Sequence, residues 1–237
     1  MNIKLLITAT APAFALLIGI YLTDRYDKEP PELLFKVFIL GCLSVIPTII
    51  VEKILDRFNV FSGIMWPFYT AFIVAGFTEE YFKRLVVLKS AFKSAHFNEK
   101  LDGIVYCTFA SLGFATIENI MYVAFKFSSN PTIGIGRGIF SVPSHMLYGV
   151  TMGYYLSLAK YCVMEERVCK KYMRKSLTMP IILHGIFDFI LMSNMPILMA
   201  LFVPYVIYLW KINLSKLNKY TQESKDRFGF INKIQKE

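Results

Sequence analysis

The chain has 237 residues, 55% of them apolar or aromatic and 18% charged, with a formal net charge of +9. That is too little polar surface for a soluble domain of this size and too much apolar content for disorder, so both classes are excluded. The Lys and Arg residues sit between apolar runs, as basic loops facing an anionic leaflet do, and no nucleic-acid partner is expected.

A bilayer core needs about 20 apolar residues per helix. Seven runs approach that length: Leu5–Thr23, Leu33–Val51, Pro67–Leu88, Gly103–Phe125, Ile139–Tyr161, Leu177–Met192 and Met195–Trp210. The expected fold is all-α, a polytopic membrane bundle of about seven transmembrane helices. Residues 1–211 form a transmembrane domain, and residues 212–237 form a basic cytoplasmic tail, read as solvated and partly helical. The last two runs are joined by Ser193-Asn194-Met195-Pro196, a tight helical turn. Lys4, Lys53, Arg57, Lys126 and Arg137 fall on one side of the membrane, and the other side takes the rest of the 26 basic residues. The positive-inside rule then puts the N-terminus outside and the tail in the cytoplasm. The same count favours an uncleaved first span over a signal peptide. Cys42 and Cys107 lie in apolar runs and Cys162 and Cys169 in a basic loop, with no metal or redox spacing. All four are expected as reduced thiols.

Within the spans, charged and imidazole groups are costly, roughly 2.5–3.5 kcal/mol for one at the bilayer centre, so each needs a reason. The third run carries Glu79 and Glu80 near mid-bilayer, with Lys83 one turn beyond Glu79 on the same face. An ion pair with Lys83 accounts for Glu79 and leaves Glu80 unexplained. The fourth run carries Gly113, which permits close helix packing, followed by Glu118 and Asn119. The fifth carries His145 about 10 Å below its outer end, just after Pro143, whose missing N–H suits an irregular turn beside a cavity. The sixth carries His184 and Asp188 at i and i+4, a spacing suited to two metal ligands or to an Asp orienting a His. His96 lies in a charged loop and is read as a solvated surface residue.

Two glutamates, two histidines and nearby Asp and Asn groups on four helices can build a hydrolytic site. A carboxylate takes a proton from water while a His or amide stabilises the oxyanion. No Ser or Cys is placed as a nucleophile beside a base. The same set suits a divalent metal such as zinc with Glu80 as base, and the residues leave open whether any cofactor is bound. A zincin is unsupported, because no His-Glu-x-x-His run occurs.

Taken together, Glu79-Glu80-x-x-Lys83, Leu101-Asp102-Gly103-Ile104-Val105-Tyr106, Gly113 through Asn119, His145 and His184-Gly185-x-x-Asp188 resemble the PrsW family of intramembrane proteases. The first-loop segment Asp24-Arg25-Tyr26-Asp27-Lys28-Glu29-Pro30 resembles that family too. The resemblance implies a bacterial inner-membrane protease related to the CAAX prenyl endopeptidases. It implies a single-span anti-sigma factor as substrate, whose cleavage begins release of an extracytoplasmic-function sigma factor under envelope stress. By the resemblance, Glu79 and Glu80 match the catalytic pair and His145 and His184 the motif histidines, with Lys83, Glu118, Asn119 and Asp188 in support. Asp188 stands where the CAAX relatives carry an oxyanion-hole Asn. An ionised Asp repels an oxyanion, so this residue must be protonated, bind a metal or orient His184. Two other readings compete: a non-catalytic scaffold or immunity-type protein of the same fold, and an ion-coupled transporter. Halves of similar sequence, common in transporters, are absent.

Overall fold

The computed structural model describes residues 3–126 and 131–234. Each of the seven apolar runs falls mainly in helical structure, with only Tyr161, Met195 and Leu201 of their residues outside it. The elements are α1 (Ile3–Thr23), α2 (Pro31–Asp56), α3 (Met65–Tyr69) running through a π-helical stretch (Thr70–Phe77) into α4 (Thr78–Ser90), and α5 (Lys100–Ile120) ending in a π-helical stretch (Met121–Lys126). There follow α6 (Pro131–Gly136), a third π-helical stretch (Arg137–Ser141) leading into α7 (Val142–Lys160), α8 (Glu166–Met192), α9 (Pro196–Ala200) and α10 (Phe202–Ile234). Leu5–Thr23, Pro31–Asp56, Lys100–Val123 and Glu166–Met192 are each long and apolar enough to cross a membrane, and the chain is a polytopic helical membrane protein.

α5 is the central helix, packed against α7, α2 and α1 and largely buried, whereas α1 shows Ile7, Phe14, Ile18 and Leu22 outward as a lipid-facing side. The close approaches depend on glycine, as in membrane bundles generally. A Cβ on Gly153 would lie 2.1 Å from the Gly103 carbonyl oxygen, and one on Gly113 would lie 2.2 Å from that of Phe38. Gly153→Ala therefore forces α5 and α7 apart and should cost about 1–3 kcal/mol, read as a lower melting temperature in detergent. Gly229→Ala, with nothing within 4 Å, should lower nothing.

Two boundaries differ from the sequence expectation. The sixth span begins at Glu166 instead of Leu177, because the basic residues before it continue the helix with Arg167 and Lys170 exposed. The seventh is interrupted at Leu201, after which α10 continues without a break to Ile234. Pro204 falls in the first turn of α10, where its missing N–H costs nothing. The Ser193–Pro196 turn is present, with Asn194 at φ 53°. Beyond residue 211, α10 buries Asn213, Leu217, Tyr220 and Ser224; residues 235–237 lie outside the described part. The expectation of four reduced thiols is corrected: Cys162 and Cys169 are joined as a disulfide, because the turn between α7 and α8 brings their Cα atoms to 5.5 Å, while Cys42 and Cys107 are free.

At the end of the bundle where α1 stops and α5 starts, the first loop is tied down. Asp24 Oδ2 accepts from the Glu29 N–H at 3.0 Å, and Tyr106 of α5 donates to Glu29. Asp102 Oδ2 caps α5 by accepting the backbone N–H groups of Asn98 and Glu99, both at 2.7 Å. Burial lifts Asp24 to about 6; burial, then the Asp102 carboxylate, lifts Glu29 well above the ordinary carboxylate range. The folded state thus holds protons that the unfolded chain releases. The associated stability is complete below the unfolded values near 4 and is lost as pH rises toward the folded ones. Melting temperature should fall between about pH 5 and pH 9, and Glu29→Gln should flatten the upper part of that slope.

Candidate active site

Three π-helical stretches adjoin the polar residues singled out from the sequence. Thr70–Phe77 precedes Glu79, Met121–Lys126 follows Glu118 and Asn119, and Arg137–Ser141 precedes Pro143 and His145. Such wide turns shift the side-chain register and are frequent at functional sites. The irregularity expected beside Pro143 is found there.

α4, α5, α7 and α8 bring their polar groups to one place. Donor atoms of Glu79, Glu80, His145 and His184, all buried, lie within 4.8 Å of one another. Lys83 Nζ donates to Glu79 Oε2 at 2.9 Å and to Glu80 Oε1 at 2.8 Å, so a single lysine answers both glutamates, including the one the ion-pair reading left unexplained. Its third contact is His145 Nδ1 at 2.9 Å, and the Phe114 ring closes over the ammonium at 4.2 Å. His145 Nε2 meets Glu118 Oε2 at 2.9 Å. His184 Nδ1 lies 3.1 Å from Glu80 Oε1, and its Nε2 lies 3.3 Å from Asp188 Oδ2, so Asp188 sits as a carboxylate orienting a histidine.

The two glutamates differ in exposure. Glu79, His145, His184, Glu118 and Asp188 line a cavity of about 1090 Å³, whereas Glu80 lies behind that wall with no exposed surface. The cavity lies toward the end of the bundle where α2, α5 and α8 finish.

Asn119 faces away from the four-residue cluster: its amide donates to the Ala9 carbonyl of α1 at 2.8 Å, and its Oδ1 accepts from Arg137 Nε at 3.0 Å. Arg137, read from the sequence only as a loop charge, pairs with Glu118 Oε2 at 3.0 Å and stacks 3.8 Å over Tyr122. Two other cavity residues escaped the sequence reading. Tyr148 stacks on His184 at 4.9 Å, and its position one turn after His145 was the available signal. Glu52 stands at the end of α2, just past the second apolar run, and no pattern marked it.

Two carboxylates and two imidazoles at this spacing are a donor set of the kind that holds zinc. Lys83 Nζ, however, lies within 2.9 Å of three of the four residues, at the point on which a metal's ligands would converge. The lysine is wholly buried, so its ammonium has no route to solvent. As arranged, the residues do not fit a metal ion.

Residues 29–211 match the family described as "PrsW family intramembrane metalloprotease". The chain is 42% identical over 230 residues to a protein named Protease PrsW from Clostridioides difficile (strain 630), covering 96% of both chains. It is 38% identical over 211 residues to Protease PrsW from Bacillus subtilis (strain 168), covering 88% of this chain and 92% of the relative. A third such relative, from Halalkalibacterium halodurans, is 35% identical over 219 residues, covering 92% of this chain and 98% of that one. No solved structure matches it significantly. With a matching family over most of its length and a buried glutamate–histidine cluster drawn from three helices, this chain belongs to the PrsW family of intramembrane proteases.

Proposed function

We propose that this protein cuts a single-span membrane protein of the anti-sigma-factor class, beginning release of an extracytoplasmic-function sigma factor under envelope stress. It does so in a bacterial cell membrane, with its N-terminus outside and its C-terminus in the cytoplasm. The supporting observation is the convergence of Glu79, Glu80, His145 and His184 within the bundle, with Glu79, His145 and His184 on the wall of one cavity. In this orientation, favoured by the distribution of basic residues, the cavity lies in the outer half of the membrane. Water and the peptide bond then meet nearer the outer surface.

Glu79 is the general base, as the glutamate of the pair that faces the cavity. It takes a proton from water as the oxygen adds to the scissile carbonyl, and returns that proton to the leaving nitrogen as the C–N bond breaks. The carbonyl oxygen becomes an oxyanion, which needs a donor. His184 Nε2 supplies it by exchanging its 3.3 Å contact with Asp188 for the substrate. Glu80 holds the other nitrogen of His184, and Glu118 holds His145, so both rings keep their orientation through the step.

The test is purified protein in proteoliposomes with candidate single-span substrates. Wild type should produce two fragments and His145→Ala none. Cutting at the wild-type rate by folded His145→Ala would remove that residue from the mechanism, and wild-type protein that binds a substrate without cutting it would favour the scaffold reading.

A further inference from the structure

An ammonium group has three N–H donors and no lone pair. All three of Lys83 are used within the cluster, on Glu79 Oε2, Glu80 Oε1 and His145 Nδ1. Because lysine can only donate, His145 Nδ1 must accept, which places the ring proton on Nε2, where it points at Glu118 Oε2. His184 is held on both sides by carboxylates, Glu80 on Nδ1 and Asp188 on Nε2. Neither imidazole therefore has a lone pair free for a metal, which binds the neutral ring through one. A divalent ion among these donors would also stand about 3 Å or less from the ammonium charge, in a buried setting where repulsion is poorly screened.

We infer that the Lys83 ammonium is the resident cation of this catalytic centre, standing where a metal ion would sit, and that the chain hydrolyses its substrate without a bound metal. The inference rests on the catalytic reading of the cluster above. Lys83 touches the base and one histidine but not the cavity, so it is a positioning residue. It draws Glu79 Oε2 and Glu80 Oε1 toward one point and leaves the other oxygen of Glu79 for water. The spacing accounts for its reach: on one helix, a residue at i+4 from Glu79 and i+3 from Glu80 faces both.

The test begins with full-length protein purified from zinc-supplemented cells, its metal content measured by mass spectrometry and its cleavage followed with and without 1,10-phenanthroline. Wild type should carry below about 0.1 metal per chain, and its rate should stay within about twofold under the chelator. About one tightly held metal per chain, with activity lost to the chelator and restored by zinc, overturns the inference. Lys83→Met gives an independent spectroscopic arm. With the ammonium gone, the four donors should take up about one Co²⁺ per chain with visible d–d bands that wild type lacks. Folded Lys83→Met that binds no cobalt overturns the claim that the ammonium holds the metal's place. Where Lys83→Met does not fold, the wild-type measurements decide alone. Metal content is read without any cleavage, so an inactive wild type would count against the proposed function and leave this inference to be judged separately.

Discussion

Glu79→Gln should lower the cleavage rate by about 10²–10⁴ while leaving the protein folded, the loss expected when a general base is removed. The amide keeps the shape of the carboxylate and can still accept from Lys83, and the remaining Glu80 charge, 2.8 Å away, still balances the ammonium. Glu80→Gln should behave differently. Glu80 has no exposed surface and holds Lys83 and His184 together, so its neutralisation should lower melting temperature as well as rate. Rates from fragment yields, set beside melting temperatures in detergent, separate the two roles. Equal rate losses with equal destabilisation in both variants would contradict the assignment of the base to Glu79.

Lys83→Ala carries the largest expected cost to the fold. Removing one partner of a buried ion pair leaves an uncompensated charge, typically costing about 3–5 kcal/mol, and here two glutamates and a histidine lose their partner at once. Thermal unfolding in detergent should place Lys83→Ala well below Glu79→Gln. A shift under about 1 kcal/mol would mean that the network reorganises around water, and that the lysine is not what holds the cluster. The site's other fixed cation, Arg137, lies at its rim and holds Glu118 with partial exposure, so its loss should be milder.

The helices, and the residues that matter on them, were largely legible because lipid makes charge conspicuous. Glu79, Glu80, His145, His184 and Asp188 stood out as groups that an apolar run does not otherwise carry, and the i, i+4 spacing of His184 and Asp188 correctly put the two in contact. Gly113 likewise announced a close approach, found against Phe38. What stayed hidden depends on angles between helices. Nothing in the order of residues tells that Lys83 would reach His145 on α7, 62 positions later, or that Glu79 and not Glu80 would face the cavity. The three π-helical stretches change the register beside each site segment and have no composition of their own. Arg137 was hidden for a different reason: in the sequence it falls between apolar runs, where a basic charge is ordinary. Asn119 was correctly marked as polar inside a span, yet it serves as an anchor to α1 and Arg137, a role that only the placement of neighbouring helices discloses.

The most direct test of whether these groups act as one catalytic unit is a double-mutant cycle on cleavage in proteoliposomes, with Glu79→Gln, His184→Ala and the pair combined, each checked for folding. Residues that work as a unit are strongly non-additive, so each single change should remove nearly all activity, about 10³-fold, and the double should be little worse than either. Losses that multiply to about 10⁶, or a folded single variant that cuts at the wild-type rate, would mean that the glutamate and the histidine do not serve the same step.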